Sequence, residues 1–169
     1  MKEESKNLLE ETYLRNDGKL FASWQDIKVG CEKIVESLRK ENFKPDVIVA
    51  IGRGGYIPGV IISHLLENKK LFTLKVEFTE KENTSNQTLK QKPVIIQAIK
   101  EKLEGKKILL IDDVNESGQS IQTVTNYLLK EKQVKEIKTG IIHEKPWTKK
   151  KADFVGKTVD AWVVHPWEK

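Results

Sequence analysis

The stretch that decides the fold is residues 108–120, which read Ile-Leu-Leu-Ile-Asp-Asp-Val-Asn-Glu-Ser-Gly-Gln-Ser. Residues 108–111 form a short apolar run rich in branched side chains, which is typical of a strand buried on both faces of a sheet, and the strand is predicted over 107–111. Two aspartates follow where that strand should end. The small and polar residues at 114–119 predict a loop, and the apolar spacing over 120–130 predicts a helix.

Strands and helices alternate on both sides of this stretch. A serine–aspartate capping pattern at Ser23 predicts an amphipathic helix that extends to about Lys40 and buries Cys31 as a small core side chain. Further strands are predicted over 47–51, 71–78 and 137–142, and further helices over 57–66 and 94–103. This alternation predicts an α/β fold with a mainly parallel central sheet flanked by helices, whose ligands bind beyond the carboxyl ends of the strands.

The length and composition exclude several classes of protein. The chain has 169 residues, the size of a single domain spanning 1–169, in which the polar residues 1–19 read as an N-terminal arm. The net charge of +5 comes with acids interleaved among most basic residues, which argues against nucleic acid as a partner. No apolar run approaches the roughly 20 residues that span a bilayer, and no signal-peptide core is present, so we expect a cytoplasmic protein without a membrane partner.

The loop after residues 107–111 has the composition of a phosphate site. Small and hydroxyl-bearing residues directly before a helix let backbone amides converge on an anion at the positive helix end. Asp112 and Asp113 can accept hydrogen bonds from vicinal hydroxyls and can hold a hydrated Mg²⁺ that is shared with phosphate oxygens. The pattern is not a Walker loop, because it lacks Gly-Lys-Ser/Thr. An apolar strand that simply reaches solvent would explain the two aspartates alone, but not the whole pattern.

A second loop, Gly52-Arg53-Gly54-Gly55, follows another apolar run. It lacks the last glycine of a dinucleotide-binding fingerprint, which argues against a Rossmann enzyme. Glycines allow close backbone approach, and the Arg53 guanidinium can bind phosphate oxygens bidentately. Two anion sites at one sheet edge indicate a ligand with phosphate at both ends. The polar residues 79–92 form a long loop without apolar periodicity, for which we predict a mobile flap.

These two loops resemble those of a known family. Residues 108–120 look like the phosphoribosyl pyrophosphate (PRPP) signature of type I phosphoribosyltransferases, and residues 51–59 are similar to the family's pyrophosphate loop. Residues 144–146 and 160–168 look like the purine-binding hood of the 6-oxopurine branch, the xanthine and hypoxanthine-guanine enzymes. The resemblance covers the chain from about residue 23 to the end, with the hood at 144–169.

The resemblance implies roles for the phosphate-binding residues. Asp112 and Asp113 would bind the ribose hydroxyls and the Mg²⁺ shell, while Arg53 and the Gly54 amide would face pyrophosphate. The 5′-phosphate would be held by Glu116, Ser117, Gly118, Gln119 and Ser120.

The resemblance also implies how the base is bound. Lys145 would donate to the purine 6-oxo group, Trp162 would stack on the ring, and a backbone group of Val163 would contact the exocyclic position at C2. Glu116 and Ser117 stand where the family usually has aspartate and threonine. That aspartate is a proposed proton-transfer group near purine N7, so Glu116 is the acid/base candidate. The flap lacks the Ser-Tyr pair of many relatives.

The expected function is purine salvage. The reaction would join PRPP to N9 of hypoxanthine, guanine or xanthine, giving a nucleoside monophosphate and pyrophosphate, in a homodimer or tetramer. One alternative is a phosphoribosyltransferase for another base, such as adenine, uracil or orotate. Another is a regulator that senses PRPP without turnover. His64, His143 and His165 show no metal-ligand spacing, so we expect them to be incidental to function.

Overall fold

The computed structural model describes residues 11–79 and 92–168. Within these residues the chain forms nine strands, three α-helices and one short 3-10 helix at Pro166–Glu168. In chain order the elements are β1 (Tyr13–Leu14), β2 (Lys19–Phe21), α1 (Trp24–Lys40), β3 (Val47–Gly52), α2 (Tyr56–Leu65), β4 (Leu71–Thr79), β5 (Lys92–Gln97), β6 (Lys107–Asn115), α3 (Gln119–Lys130), β7 (Glu136–Glu144), β8 (Phe154–Thr158) and β9 (Trp162–Val164).

Six strands form the central sheet, in the order β5-β4-β3-β6-β7-β8. All neighbours in it are parallel except β4 and β5, which are antiparallel. The predicted α/β fold with a mainly parallel sheet is therefore confirmed. Because β3 and β6 are adjacent and parallel, the loops that follow them meet at the same edge of the sheet.

The core lies on both faces of this sheet. Along β6, Leu109 and Ile111 pack with α1 and α2 on one face, while Ile108 and Leu110 pack with α3 on the other. All four side chains are buried, and burial of each contributes roughly 1.5–3 kcal/mol. The strand therefore anchors the residues that follow it between two packed layers.

The start of α1 matches its predicted cap. The Ser23 hydroxyl accepts a hydrogen bond from the backbone N–H of Asp26 at 3.1 Å, and Thr12 donates to the Asp26 carboxylate. Cys31 lies on the buried stripe, as predicted, and burial raises the pKa of its thiol to about 12, with a smaller contribution from Glu32. This cysteine is therefore a packing residue rather than a nucleophile.

A small second sheet forms from chain ends. It has the order β1-β2-β9, and β2 runs parallel to β9 with Leu20 opposite Val163. The described part of the predicted arm thus contains β1 and the first residue of β2, and β2 pairs with β9 in the region predicted to bind the base. In the same region β8 extends the central sheet by pairing with β7.

The helix predicted over 94–103 is wrong. Residues Lys92–Gln97 form β5, an edge strand antiparallel to β4. Branched side chains favour an extended backbone, and Pro93 is tolerated because an edge strand does not need every N–H. Ile99 is buried although it is not in a helix, because the irregular chain after β5 returns to the core. Most of the predicted flap, residues 80–91, lies outside the described residues.

The loop predicted over 114–119 is shorter in the structure. Strand β6 continues to Asn115, and α3 begins at Gln119, one residue before the predicted Ser120. Val114 and Asn115 remain in the ladder because they pair with His143 and Glu144 of β7. Among the described helices, none has the length and apolar character needed to cross a membrane.

Candidate active site

The loop after β3 is in contact with the end of β6. A Cβ on Gly54 would overlap the Asp113 carboxylate, and one on Gly55 would lie 2.8 Å from the Ile111 carbonyl oxygen. Only glycine fits at these two positions. The Gly52–Arg53 peptide bond is cis, and the Arg53 side chain is exposed. The predicted pyrophosphate loop and the paired aspartates thus form one continuous surface.

The loop before α3 forms a small pocket. The cavity has a volume of about 190 Å³ and is lined by Phe78, Asp112 and residues 114–121. Gly118, the residue before the helix, has φ +83°, and no side chain caps the helix. The backbone N–H of Gln119 donates a hydrogen bond to the Ser117 hydroxyl at 3.3 Å. A pocket at the positive end of a helix suits an anion the size of phosphate.

The two aspartates lie between these loops and are buried. The Asp112 carboxylate accepts a hydrogen bond from the Asp113 N–H at 2.9 Å, and the Asp113 carboxylate accepts one from the Val114 N–H at 2.8 Å. Burial, followed by the negative charge of Asp113, raises the pKa of Asp112 well above its ordinary value. The site therefore holds carboxylates that a cation or hydroxyl donors would stabilise in their charged form.

Lys145 directly follows β7 and is also buried. Its ammonium donates to the backbone carbonyl of Ala161 and lies 5.6 Å from the centre of the Trp147 ring. Burial lowers the pKa of Lys145, and the charges of Glu116 and Asp160 oppose that shift. The effect of Glu116 indicates that the phosphate loop and this lysine face the same space.

The structure places the three predicted base-binding residues together. Lys145 donates to the carbonyl of Ala161, the residue before Trp162. The Trp162 side chain is 63% exposed, so most of its ring surface is free. Val163, the next residue, is buried in β9. The Lys145 ammonium, the exposed Trp162 indole and the Val163 backbone therefore lie next to one another.

A buried polar network connects the two halves of the site and was not predicted. The Asn115 side chain donates to the Glu144 carboxylate at 2.9 Å and to the Lys150 carbonyl at 2.8 Å, and it accepts from the Thr148 hydroxyl at 3.2 Å. The Glu144 carboxylate also accepts from the Ala152 N–H at 2.8 Å. The register of Asn115 opposite Glu144 explains the contact, and it requires the strand pairing to be known.

Two histidines also lie beside the aspartates. His143 Nδ1 is 3.1 Å from His165 Nε2, and His165 Nδ1 is 3.3 Å from an Asp113 carboxylate oxygen. Both imidazoles are almost fully buried. The expectation that they are incidental missed this contact, because His143 lies in β7, His165 follows β9, and their spacing follows no ligand motif. His64 is exposed on α2.

Comparison with known proteins gives the class of this fold and site. Residues 19–168 match the family model described as the phosphoribosyl transferase domain. The chain belongs to this family.

Individual relatives narrow the comparison. The chain is 28% identical to a hypoxanthine-guanine phosphoribosyltransferase of Saccharomyces cerevisiae, over 89% of this chain and 86% of that protein. It resembles the crystal structure of a purine phosphoribosyltransferase from Pyrococcus horikoshii, with a TM-score of 0.78 and 32% identity over 90% of this chain and 95% of that one. It also resembles a hypothetical protein from Neisseria gonorrhoeae with bound ppGpp, with a TM-score of 0.79 and 25% identity over 89% of each chain.

Proposed function

We propose that this protein transfers the 5-phosphoribosyl group from PRPP to N9 of hypoxanthine, guanine or xanthine and releases pyrophosphate. The observation that carries the proposal is the contact between the Gly54 loop and Asp113 beside the pocket before α3. This contact brings two anion sites and a pair of acids to one sheet edge, which suits a sugar with phosphate at both ends. Family membership and the names of the relatives support the same reaction.

Each part of PRPP has a candidate site. The 5′-phosphate binds the amides and hydroxyls of residues 116–120 at the positive end of α3. Asp112 and Asp113 accept hydrogen bonds from the ribose hydroxyls. The exposed Arg53 and the Gly54 amide face pyrophosphate. A well-placed donor to the developing charge of the leaving group contributes about 3 kcal/mol.

Asp112 and Asp113 fit a Mg²⁺ ion that is shared with substrate phosphates. The described residues contain no group of three or more metal-ligating side chains, and Mg²⁺ commonly takes one or two carboxylates and completes its shell with phosphate and water oxygens. The raised pKa of Asp112 comes from burial beside another acid, a conflict that a cation relieves. When bound, the ion would stabilise the negative charge on the departing pyrophosphate.

The base binds between Lys145 and Trp162. The ammonium donates to the 6-oxo group, the open indole stacks on the ring, and the Val163 backbone contacts the substituent at C2. N9 attacks C1′ as the bond to pyrophosphate breaks, through a transition state with oxocarbenium character. Glu116 is exposed and electrostatically close to Lys145, which supports its role as the acid/base group at N7.

A second candidate is a regulator that binds PRPP or a related nucleotide without turnover. Two observations favour it: glutamate at position 116, where the family usually has aspartate, and the bound ppGpp of the Neisseria gonorrhoeae protein. A phosphoribosyltransferase for another base fits less well, since a lysine donor prefers an oxo group to an amine. A homodimer or tetramer and a cytoplasmic location stay predictions, checked by light scattering and by fractionation.

The test is a pyrophosphate-release assay with PRPP, Mg²⁺ and one base at a time. We expect turnover with hypoxanthine, guanine or xanthine. Turnover with only adenine or uracil would refute the base assignment, and PRPP binding without turnover on any base would favour the regulator.

Arginine variants test the pyrophosphate loop. Arg53→Ala should lower turnover by far more than it lowers Tm, because the side chain is exposed and makes no ion pair with the described residues. The matched control is Arg39→Ala, which removes a hydrogen bond to the Leu65 carbonyl at the end of α2 that lies away from the Arg53 loop. Equal losses of activity and Tm in Arg53→Ala would indicate a structural arginine.

A further inference from the structure

A column of rings connects Trp167, which is half-buried, to Asp113 through two buried histidines. The Trp167 indole stacks on the His165 imidazole with centroids 4.6 Å apart and planes 1° from parallel. His165 in turn contacts His143 of β7, Nε2 to Nδ1, at 3.1 Å. The exposed fractions of the two imidazoles are only 2% and 1%. Side chains this well enclosed have one available geometry.

The surroundings of His165 fix where its proton lies. Its Nδ1 is 3.3 Å from an Asp113 carboxylate oxygen and 3.5 Å from a Glu168 carboxylate oxygen. Carboxylates accept hydrogen bonds, so Nδ1 carries the hydrogen. In a neutral ring Nε2 is then an acceptor, and His143 must donate to it from its own Nδ1. Both histidines are thereby assigned the Nδ1–H tautomer.

Burial disfavours the charged form of both rings. It lowers the pKa of His143 to about 4, helped by His165, Lys157 and Lys145 and opposed by Asp26. It also lowers the pKa of His165, against the opposing charges of Asp113 and Glu168. Whichever charge the ring has, its Nδ1 presents a hydrogen to the Asp113 carboxylate.

The Asp113 carboxylate is held from three sides. One oxygen accepts the Val114 N–H at 2.8 Å, and the other faces His165 Nδ1. Gly54 packs directly against the carboxylate, where a Cβ would not fit. Of these three neighbours, only His165 lies outside β6 and the loop after β3. Its loss would leave a buried carboxylate oxygen without that donor and free the side chain to turn.

We propose that His165, held in its tautomer by His143, is a positioning residue that orients Asp113 for PRPP. The inference rests on the proposed function, because it assigns His165 to the ribose and pyrophosphate side of that same site. Partners that orient a ligand-binding side chain typically change affinity or activity by ten- to a hundredfold. The role belongs to PRPP binding and not to binding of the base.

The tautomers are measured first. Long-range ¹H–¹⁵N correlation of the histidine-labelled full chain at neutral pH should show a hydrogen on Nδ1 of both imidazoles, assigned to His143 and His165 with single variants. An Nε2–H tautomer at either ring would overturn the proposal. This readout does not depend on turnover.

The second test uses three variants. His165→Phe keeps a ring against Trp167 but removes both nitrogens, and His165→Asn returns an amide donor near the place of Nδ1. His64→Phe, at an exposed position on α2, is the matched control. We expect His165→Phe to lower kcat/KM for PRPP by ten- to a hundredfold with the KM for the base near its wild-type value. His165→Asn should recover part of this loss, and His64→Phe should behave as wild type.

Two results would overturn the proposal. One is wild-type kcat/KM for PRPP in His165→Phe, and the other is equal impairment of the Phe and Asn variants, which would make His165 a packing residue. If the wild-type protein turns over no base, the proposed reaction is wrong, and calorimetry with PRPP then decides the role of His165. Weaker PRPP binding by His165→Phe than by His165→Asn would support it, and equal binding would refute it.

Discussion

Substitution of Gly118 by alanine tests whether the loop before α3 is built for close approach. Gly118 has φ +83°, and a Cβ there would lie 2.9 Å from the Lys150 backbone N and 2.5 Å from its Cβ. Ordinary contact begins at 3.4 Å, so the two segments must separate by about 0.5–0.9 Å. The Lys150 carbonyl accepts a hydrogen bond from the Asn115 side chain, so this movement also disturbs the polar network that joins the two halves of the site.

Gly105→Ala is the matched control. Gly105 has φ +68° but no heavy atom within 4 Å of a built Cβ, so it measures the left-handed backbone cost alone, about 1–2 kcal/mol. Gly118→Ala adds an overpacking cost of about 1–3 kcal/mol. With roughly 2–4 °C per kcal/mol at this chain size, we expect Tm losses of about 2–8 °C for the control and about 4–20 °C for Gly118→Ala.

The two variants should differ more in activity than in stability. A shift approaching 1 Å in a binding loop can lower activity on the order of a hundredfold, so we expect Gly118→Ala to lose between ten- and a hundredfold in kcat/KM for PRPP. Gly105→Ala should retain the wild-type value. The measurements are thermal unfolding and initial rates at varied PRPP concentration. If Gly118→Ala is as stable and as active as Gly105→Ala, the close approach of Lys150 has no functional role.

Three further predictions concern single side chains. Asp112→Asn should abolish turnover yet raise Tm by about 1–8 °C, corresponding to about 0.5–2 kcal/mol. The pKa of Asp112 is raised in the folded state. The wild-type acid therefore destabilises the fold increasingly as the pH rises above the ordinary pKa that an aspartate has in the unfolded chain. The gain in Tm should therefore be larger at pH 8 than at pH 5, and an equal gain at both would contradict this cause. Trp162→Ala should raise the KM for the base about five- to 150-fold, since stacking on a base contributes about 1–3 kcal/mol, while Tm changes little because the side chain is 63% exposed; an unchanged KM would exclude stacking. Asn115→Leu should lower Tm by an amount that corresponds to about 1–3 kcal/mol, because it removes the Asn115 donor from the Lys150 carbonyl and one of the donors to the buried Glu144 carboxylate, and thermal unfolding that matches the wild type would show that water replaces it.

The sequence predicts the parts of this molecule that depend on local rules. The apolar run before Asp112 forms a strand because its alternate side chains fill two cores, and Ser23 caps α1 because its hydroxyl reaches the Asp26 amide. The glycines of the first loop were expected from the need for close approach, and Gly54 contacts Asp113 as that need requires. These features involve residues near in sequence or parallel strands whose ends must meet.

The features that the sequence did not predict depend on partners far along the chain. Residues 94–97 have apolar spacing compatible with a helix, but β4 offers an unpaired sheet edge, and pairing with that edge decides the conformation. His143 and His165 are 22 residues apart, and only the positions of β7 and β9 bring their rings together. Pairing of Asn115 with Glu144 likewise follows from the register of β6 and β7.

The groups that stabilise the fold least are concentrated at one edge of the sheet. Asp112 and Asp113 are buried side by side, and Lys145 is an ammonium whose pKa burial lowers. The burial of each charge opposes stability, and each lies near the carboxyl end of β6 or β7. The two apolar cores lie along the middle of the same strands and offset these costs. Perturbed ionisable groups that gather in this way are typical of functional sites, and their distribution favours the proposed site without reference to any sequence motif.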